Sequence, residues 1–234
     1  MKALAIVHQT DAGPGVFAEE MAERGVELHE WLLSERGTGP QLEIADYDAV
    51  LTFGGAMHAD QEDRHPWLRF EKDFLAAMID DRMPLLAVCL GNQLLAEAGG
   101  GLARRASEPE IGWLEVNVTD EGARDPVIGP LAPSFTAFQW HSYEAVPPEG
   151  ATILARSEVC TQAYRIGDRA WGIQSHPEVS ASDAGKWIDD YRADEDAVRI
   201  GVDPDALRAE TEQRIGDWNR IGRELCGRFL EAVV

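Results

Sequence analysis

Cysteine is scarce in this chain: three in 234 residues, an odd number with no C-x-x-C pair. That set does not suit a disulfide framework or a thiolate zinc site, so no metal is expected. A reducing compartment, the cytoplasm, is the expected location. Long hydrophobic runs are also missing. The longest, such as LLAVCL at 85–90, fall far short of the about 20 residues that cross a bilayer. The opening MKALAIVHQT lacks the extended apolar core and small-residue cleavage site of a secretory leader, and it reads as a first buried strand. Positive charge is in deficit: 21 Lys and Arg stand against 42 Asp and Glu, a formal net charge of −21. No basic cluster is longer than Arg104–Arg105, so neither a nucleic acid backbone nor an anionic membrane is an expected partner.

What is present is a chain of 44% hydrophobic residues, enough for one substantial core. Residues 2–7 (KALAIV), 26–33 (VELHEWLL), 48–55 (DAVLTFGG) and 84–89 (PLLAVC) read as strands, most of them apolar throughout. Between them lie helical patterns. GVFAEEMAERG places Val16, Phe17 and Met21 on one face and stops at Gly25. PWLRFEKDFLAAMIDDRM starts from Pro66 and carries a stripe of Trp67, Phe70, Phe74, Leu75 and Met78. GNQLLAEAG follows the fourth strand as a short helix. Strands that alternate with helices predict a parallel sheet covered on both faces.

After Gly99 the texture changes to short β-rich runs split by Pro147–Pro148 and Gly167–Asp168, which either extend the sheet or form a second antiparallel layer. From Ser182 the pattern is helical and acidic, with Asp203 before Pro204 predicting a capped helix start. Its apolar positions, Trp187, Ile188, Tyr191, Val198, Ile215, Trp218, Ile221, Leu225, Phe229 and Leu230, fit packing on the domain body or a homodimer or partner surface. The expectation is one domain over 1–234 with a helical extension at about 182–234.

Cys89 sits where the fourth strand runs directly into a helix, the carboxyl end of a parallel sheet, where open α/β sheets bind ligands. A nucleophile at such a turn has small neighbours two residues away on each side; here they are Ala87 and Gly91. The free N–H groups and dipole of the helix start favour an anionic sulfur. The alternative is a small buried cysteine with no chemical task. A nucleophile needs a base and a group to orient that base. Of six histidines, His176 follows the apolar run RAWGIQS and precedes Pro177–Glu178, so Glu178 can fold back onto one ring nitrogen. His141, in QWHSYE, is the second candidate base and reads more readily as a strand-end residue shaping the pocket. Oxyanion donors would come from the Leu90 amide and from the glycine pair in TFGGAMHA, Gly54–Gly55. A turn is the plainer reading of that pair. It is no phosphate loop, since no G-x-G-x-x-G and no G-K-[ST] is present.

The segments 52–68 (TFGGAMHADQEDRHPWL), 85–101 (LLAVCLGNQLLAEAGGG), 110–119, 138–164 and 171–180 (WGIQSHPEVS) together resemble the triad-type, class I glutamine amidotransferases, and within them the stand-alone GMP synthase-like group. The pairing of C-L-G-x-Q with a later H-P-E is the most specific part. The resemblance implies an α/β fold, a flavodoxin-like three-layer sandwich with a mostly parallel central sheet and a small antiparallel β section. It implies that Cys89 attacks the side-chain amide of glutamine, that His176 activates the thiol and protonates ammonia, and that Glu178 holds His176. Gly55 and Leu90 would bind the oxyanion. Gln93 and the backbone of Ser142 and Tyr143 would hold the amino-acid end of the substrate, with Gly54 lining the same pocket. No cofactor is implied. An ATP-dependent synthetase would receive the ammonia. A self-sufficient γ-glutamyl hydrolase or peptidase, or a non-catalytic binding protein, are the alternatives. The chain departs from the family pattern at Ala87, Asn92, Ala56, Ser142–Tyr143 and Ser175.

Overall fold

A computed structural model of the chain describes residues 1–33 and 46–233. The first three parallel strands are β1 (Lys2–Val7), β2 (Glu27–Leu32) and β3 (Ala49–Thr52), with helix α1 (Gly15–Glu23) between the first two. Helix α2 (Trp67–Asp80), β4 (Leu85–Val88) and α3 (Leu90–Ala98) follow. A β-rich stretch then supplies β5 (Leu102–Val118), β6 (Ser134–Val146), β7 (Thr152–Arg156), β8 (Thr161–Ile166) and β9 (Ala170–Ile173). The chain ends in α4 (Ala181–Asp189), α5 (Glu195–Arg199) and α6 (Pro204–Val233).

The nine strands of the described residues form one sheet, in the order β2-β1-β3-β4-β9-β8-β7-β5-β6. The pairings from β2 through β9 are parallel and those from β9 to β6 antiparallel. The β-rich stretch therefore extends the sheet rather than building a separate layer. β9 is the last strand in sequence but lies in the centre, beside β4, so a residue just after β9 comes close to one just after β4.

The continuous apolar strands are explained by two cores, one on each face. Ala3, Ala5, Val7, Leu51, Leu86 and Val88 face one cluster, which α1, α4 and α6 cover through Phe17, Met21, Ile188, Trp218 and Phe229. Their neighbours Leu4, Ile6, Val50, Leu85 and Ala87 face the other, covered by α2 and α3 through Leu68, Leu75, Met78, Leu94 and Leu95. Period-two alternation sends successive side chains to opposite faces. With helices on both faces, neither set can be polar.

The C-terminal helices are part of this body. Ile215, Trp218, Leu225, Phe229 and Leu230 are buried, whereas Val198 is 52% exposed and does not belong to the packed face. Asp203 caps α6 as expected: its carboxylate accepts from the amides of Asp205 (3.0 Å) and Ala206 (3.1 Å). Val234, the end of the expected helix, lies outside the described residues.

Candidate active site

Four neighbouring parallel strands end along one rim of the sheet, and the residues just past their ends converge. Register fixes which ones. Ile6 is paired with Thr52, Thr52 with Ala87, and Val88 with Ile173. One to three residues further on lie His8, Gly54 and Gly55, Cys89, and His176. The structure thus brings Cys89 and His176 together although they are distant in sequence.

Cys89 is 6% exposed. Its backbone has φ 53° and ψ −107°, a positive φ that a non-glycine residue adopts only under constraint. The constraint comes from both sides. The Cys89 amide donates to Ile173 O (2.9 Å), continuing the ladder to β9, and Cys89 O accepts from the Gln93 amide (3.1 Å), opening α3. One residue must switch from strand to helix without a loop. Gly91 lets this turn sit against β3: its amide donates to Phe53 O (3.0 Å), and a Cβ there would stand 2.6 Å from Thr52 O.

His176 and Glu178 are almost fully buried, at 2% and 1% exposure. His176 Nδ1 donates to Glu178 Oε1 (2.8 Å). That bond fixes which ring nitrogen is left over: Nε2, which is buried and has no hydrogen-bond partner among the described residues. Burial disfavours the charged ring, but the neighbouring Cys89 and Glu178 charges outweigh it and raise the His176 pKa to about 10. Gly54 lies against both groups, since a Cβ there would be 3.0 Å from His176 Cε1 and 3.7 Å from Cys89 Cβ. Among the described residues, the amides of Gly55 and Leu90 have no hydrogen-bond acceptor, while the intervening Ala56 amide donates to Gln9 Oε1 (2.8 Å).

The turn carrying His176 is gripped from outside. Its amide donates to Phe138 O (3.0 Å), and Glu178 O accepts from the Val16 amide at the start of α1 (2.9 Å). From α6, Trp218 Nε1 donates to His176 O (2.8 Å) and Asn219 Nδ2 to Val179 O (2.7 Å). A Cβ at Gly222 would overlap Pro177 O. From α4, Trp187 sets its ring edge-on to the imidazole, with centroids 4.8 Å apart.

The expected substrate contacts lie beside this centre. Gln93 is 3% exposed, and its Nε2 donates to Tyr143 O (3.1 Å). The amide end of Gln93 therefore holds the backbone of the 142–143 segment. Ser142 is buried. Tyr143 stacks on His58 (4.1 Å between centroids) and donates to Asp60 Oδ2 (3.1 Å).

His141 is not at a strand end as expected. It lies within β6, where Nδ1 donates to Tyr143 O (3.0 Å) and Nε2 faces Glu110 Oε2 at 3.2 Å. Glu110 Oε2 also accepts from Gln162 Nε2 (2.7 Å) and the Cys160 thiol (3.3 Å). Burial and the Glu110 charge push the Cys160 thiol far up, so it remains a hydrogen donor. The Glu110, His141 and Cys160 ligand atoms fall within 4.8 Å of one another.

No motif marks His8 or Glu71, yet both are buried, at 0% and 1% exposure, with His8 against Gly54 and Glu71 behind His8. His8 Nδ1 donates to Gly54 O (3.0 Å), and Nε2 is 2.7 Å from Glu71 Oε2. One signal was available in the sequence. Glu71 falls on the α2 stripe with Trp67, Leu75 and Met78, where an acid needs a partner.

The architecture is that of a flavodoxin-like α/β sandwich, and comparison with known proteins gives the family. The family model for glutamine amidotransferase class-I matches residues 16–190. The chain is 37% identical over 147 residues to a glutamine-hydrolyzing GMP synthase subunit of Sulfolobus acidocaldarius, covering 61% of this chain and 73% of that one. It is 25% identical over 238 residues to the glutamine amidotransferase-like protein YfeJ of Salmonella typhimurium, covering 99% and 96%. A crystal structure of a glutamine amidotransferase from Thermotoga maritima superposes with a TM-score of 0.86 at 26% identity, covering 99% and 98%. The chain belongs to the class-I glutamine amidotransferase family.

Proposed function

We propose that the protein is a glutaminase that hydrolyses the side-chain amide of glutamine through a Cys89 thioester and yields ammonia for a separate synthetase. The observation that carries this reading is the junction itself. A cysteine held at positive φ on a strand–helix turn lies beside a buried imidazole whose other nitrogen is fixed by a carboxylate. A cysteine that merely filled a core would have no need of that backbone strain.

The chemistry follows from the groups. Cys89 Sγ, as thiolate, attacks the amide carbon, and the carbonyl electrons move onto oxygen. The amides of Gly55 and Leu90 donate to that oxyanion. His176, held as imidazolium by its two anionic neighbours, gives its Nε2 proton to the departing nitrogen, so ammonia leaves and a γ-glutamyl thioester remains. The now neutral ring takes a proton from water, which attacks the thioester. Collapse expels the thiolate and releases glutamate. Glu178 keeps Nδ1 protonated throughout, so only Nε2 exchanges protons. Gln93 sets the 142–143 backbone against the substrate. On this reading 1–234 is one domain, and among the described residues α6 braces the His176 turn. The likeness to a protein named as one subunit of a glutamine-hydrolyzing GMP synthase supports a partner synthetase subunit, and that partner would consume ATP.

Purified protein incubated with glutamine should release glutamate and ammonia in equal amounts, and Cys89→Ser should abolish release. Faster turnover of a γ-glutamyl peptide than of glutamine would replace the partner-dependent role with a self-sufficient hydrolase. Undiminished release by Cys89→Ser would remove the mechanism.

A further inference from the structure

The centre described above uses the buried pair His176–Glu178, and the chemistry leaves unassigned another buried His–Glu pair that touches the Gly54 peptide. We propose that His8, anchored by Glu71 and Thr52, is a positioning residue that turns the Gly54–Gly55 peptide so that the Gly55 N–H faces the oxyanion. This rests on the thioester reading and deepens it.

The argument begins with protons. Gly54 O can only accept, so His8 Nδ1, 3.0 Å away, must carry a hydrogen. Nε2 lies 2.7 Å from Glu71 Oε2, so a proton is shared there as well. The other Glu71 oxygen is occupied, because Thr52 Oγ1 donates to Oε1 at 2.6 Å. Thr52 is the last residue of β3, two before Gly54. The His8 ring is stacked on Trp67 at 5.2 Å and 13° between planes, which removes its freedom to rotate. Burial works against a charged ring here, but the Glu71 carboxylate outweighs it and raises the His8 pKa. Both nitrogens are thereby committed, so this imidazole is not available to pass protons to a substrate.

The consequence lies in the peptide bond. Among the described residues the only cis peptide is Ala132–Pro133, so the Gly54–Gly55 bond is trans. In a trans peptide the carbonyl oxygen of one residue and the N–H of the next point in opposite directions. His8 holds the Gly54 oxygen, so the Gly55 N–H is turned away from His8. The neighbours of the glycine pair define the two sides. His8 Cβ lies 3.1 Å from a Cβ built on Gly55, while Cys89 and His176 lie against Gly54. Two successive glycines with no side chains would otherwise let this peptide rotate at little cost. A donor that must be in place before charge develops on the substrate cannot rely on such a segment unless something else fixes it.

The test separates position from structure by choosing reactions that differ in their need for the oxyanion hole. Alkylation of Cys89 by iodoacetamide forms no oxyanion, whereas glutamine hydrolysis does. His8→Gln can reach Glu71 but loses the donor to Gly54 O, whereas the amide nitrogen of His8→Asn takes the place of Nδ1. Expected for His8→Gln is a fall in kcat of about 10–100-fold, below the about 10²–10³ lost with a whole oxyanion donor. KM and the iodoacetamide rate should stay within about twofold of wild type, and His8→Asn should recover most of the kcat. Equal losses of kcat and alkylation rate, or no loss of kcat, would overturn the role. A second readout is independent of turnover. The ¹⁵N–¹H resonance of the Gly55 amide should shift in His8→Gln and return in His8→Asn, and an unmoved resonance would overturn the proposal whatever the substrate. Absence of glutamate release by wild type would count against the thioester reading instead, and the resonance would still decide the role of His8.

Discussion

Two of the buried histidine–glutamate pairs among the described residues, both next to the Gly54 peptide, are put to opposite uses. In one, His176 and Glu178 are two residues apart with a 2.8 Å contact; in the other, His8 and Glu71 are 63 residues apart with a 2.7 Å contact. In both, neighbouring negative charge holds a ring above its ordinary pKa against the cost of burial, from Cys89 and then Glu178 at His176 and from Glu71 at His8. The difference is at the remaining nitrogen. Among the described residues His176 Nε2 has no hydrogen-bond partner, whereas His8 Nδ1 is bound to a carbonyl. An imidazole with one free nitrogen can move a proton, and one with both nitrogens engaged can only hold a position. The role of a buried histidine is therefore read from its second hydrogen bond more than from its pKa.

The largest test of this contrast is at the sulfur that one pair serves. Cys89→Ser is expected to lower glutaminase turnover by at least about 10³-fold, since loss of one member of a cooperating set disables the whole; steady-state release of glutamate measures it. Next is Glu178→Gln. An amide in that place can donate to Nδ1 and so move the ring proton to Nε2, the wrong tautomer. A fall of about 10³–10⁴ in kcat is expected, while Glu71→Gln should cost far less. Its amide can donate to His8 Nε2 and leave Nδ1–H on Gly54 O. Comparable losses in the two glutamine variants would erase the distinction between a proton carrier and a fixed post.

The same contrast shows what the sequence alone could reveal. The Cys89 turn and the His176–Glu178 contact are legible as local geometry, a strand meeting a helix without a loop and a carboxylate two residues from a ring; that they belong to one centre rests on the resemblance of C-L-G-x-Q and H-P-E to the family pattern. The alternating βα order and the apolar strands made the parallel half of the sheet legible for the same reason. His8 and Glu71 were not, because the first follows β1 and the second lies on α2, and only the pairing of β1 with β3 brings them to Gly54. The tail was legible as helix, with Asp203 as its cap, yet its purpose was not. Trp218 and Gly222 act on the His176 turn through backbone carbonyls, and a carbonyl leaves no trace in residue identity. His141 was misplaced because a β-rich run has no marker for where one long strand ends.

That brace predicts an intermediate effect. Gly222→Ala should add helix propensity to α6, yet its Cβ would overlap Pro177 O. A net loss of about 1–3 kcal/mol is expected from overpacking, read as a lower midpoint in urea. A fall in kcat of about tenfold should accompany it as the His176 turn is pushed from Cys89. Unchanged turnover alongside lower stability would limit α6 to a structural role. A chain ended near Ser182 should be worse still, losing both solubility and turnover. If it were a soluble monomer of full activity, the brace would be wrong.

The smallest expected effect concerns pH and separates the second pair from the first. A ring whose folded pKa lies above the ordinary 6.5 binds more protons in the native than in the unfolded state. Its contribution to stability is complete below that ordinary value and is lost as pH rises through the raised one. The groups facing His8 are the Glu71 carboxylate and the carbonyls of Gly54 and Phe53, with Trp67 against the ring; none of these adds a second positive charge that would reverse the sign. Wild-type stability, measured by urea unfolding from pH 6 upward, should therefore decline relative to His8→Gln once the pH passes 6.5, and the gap should close as the folded ring deprotonates. Because His176 is intact in both proteins, its own titration cancels in the difference. A difference that widened with rising pH would mean that His8 is neutral in the fold and that no proton is shared between Nε2 and Glu71, since the pair would bind no more protons folded than unfolded. The Gly54 carbonyl would still be held by Nδ1–H, but by a neutral donor rather than a charged one.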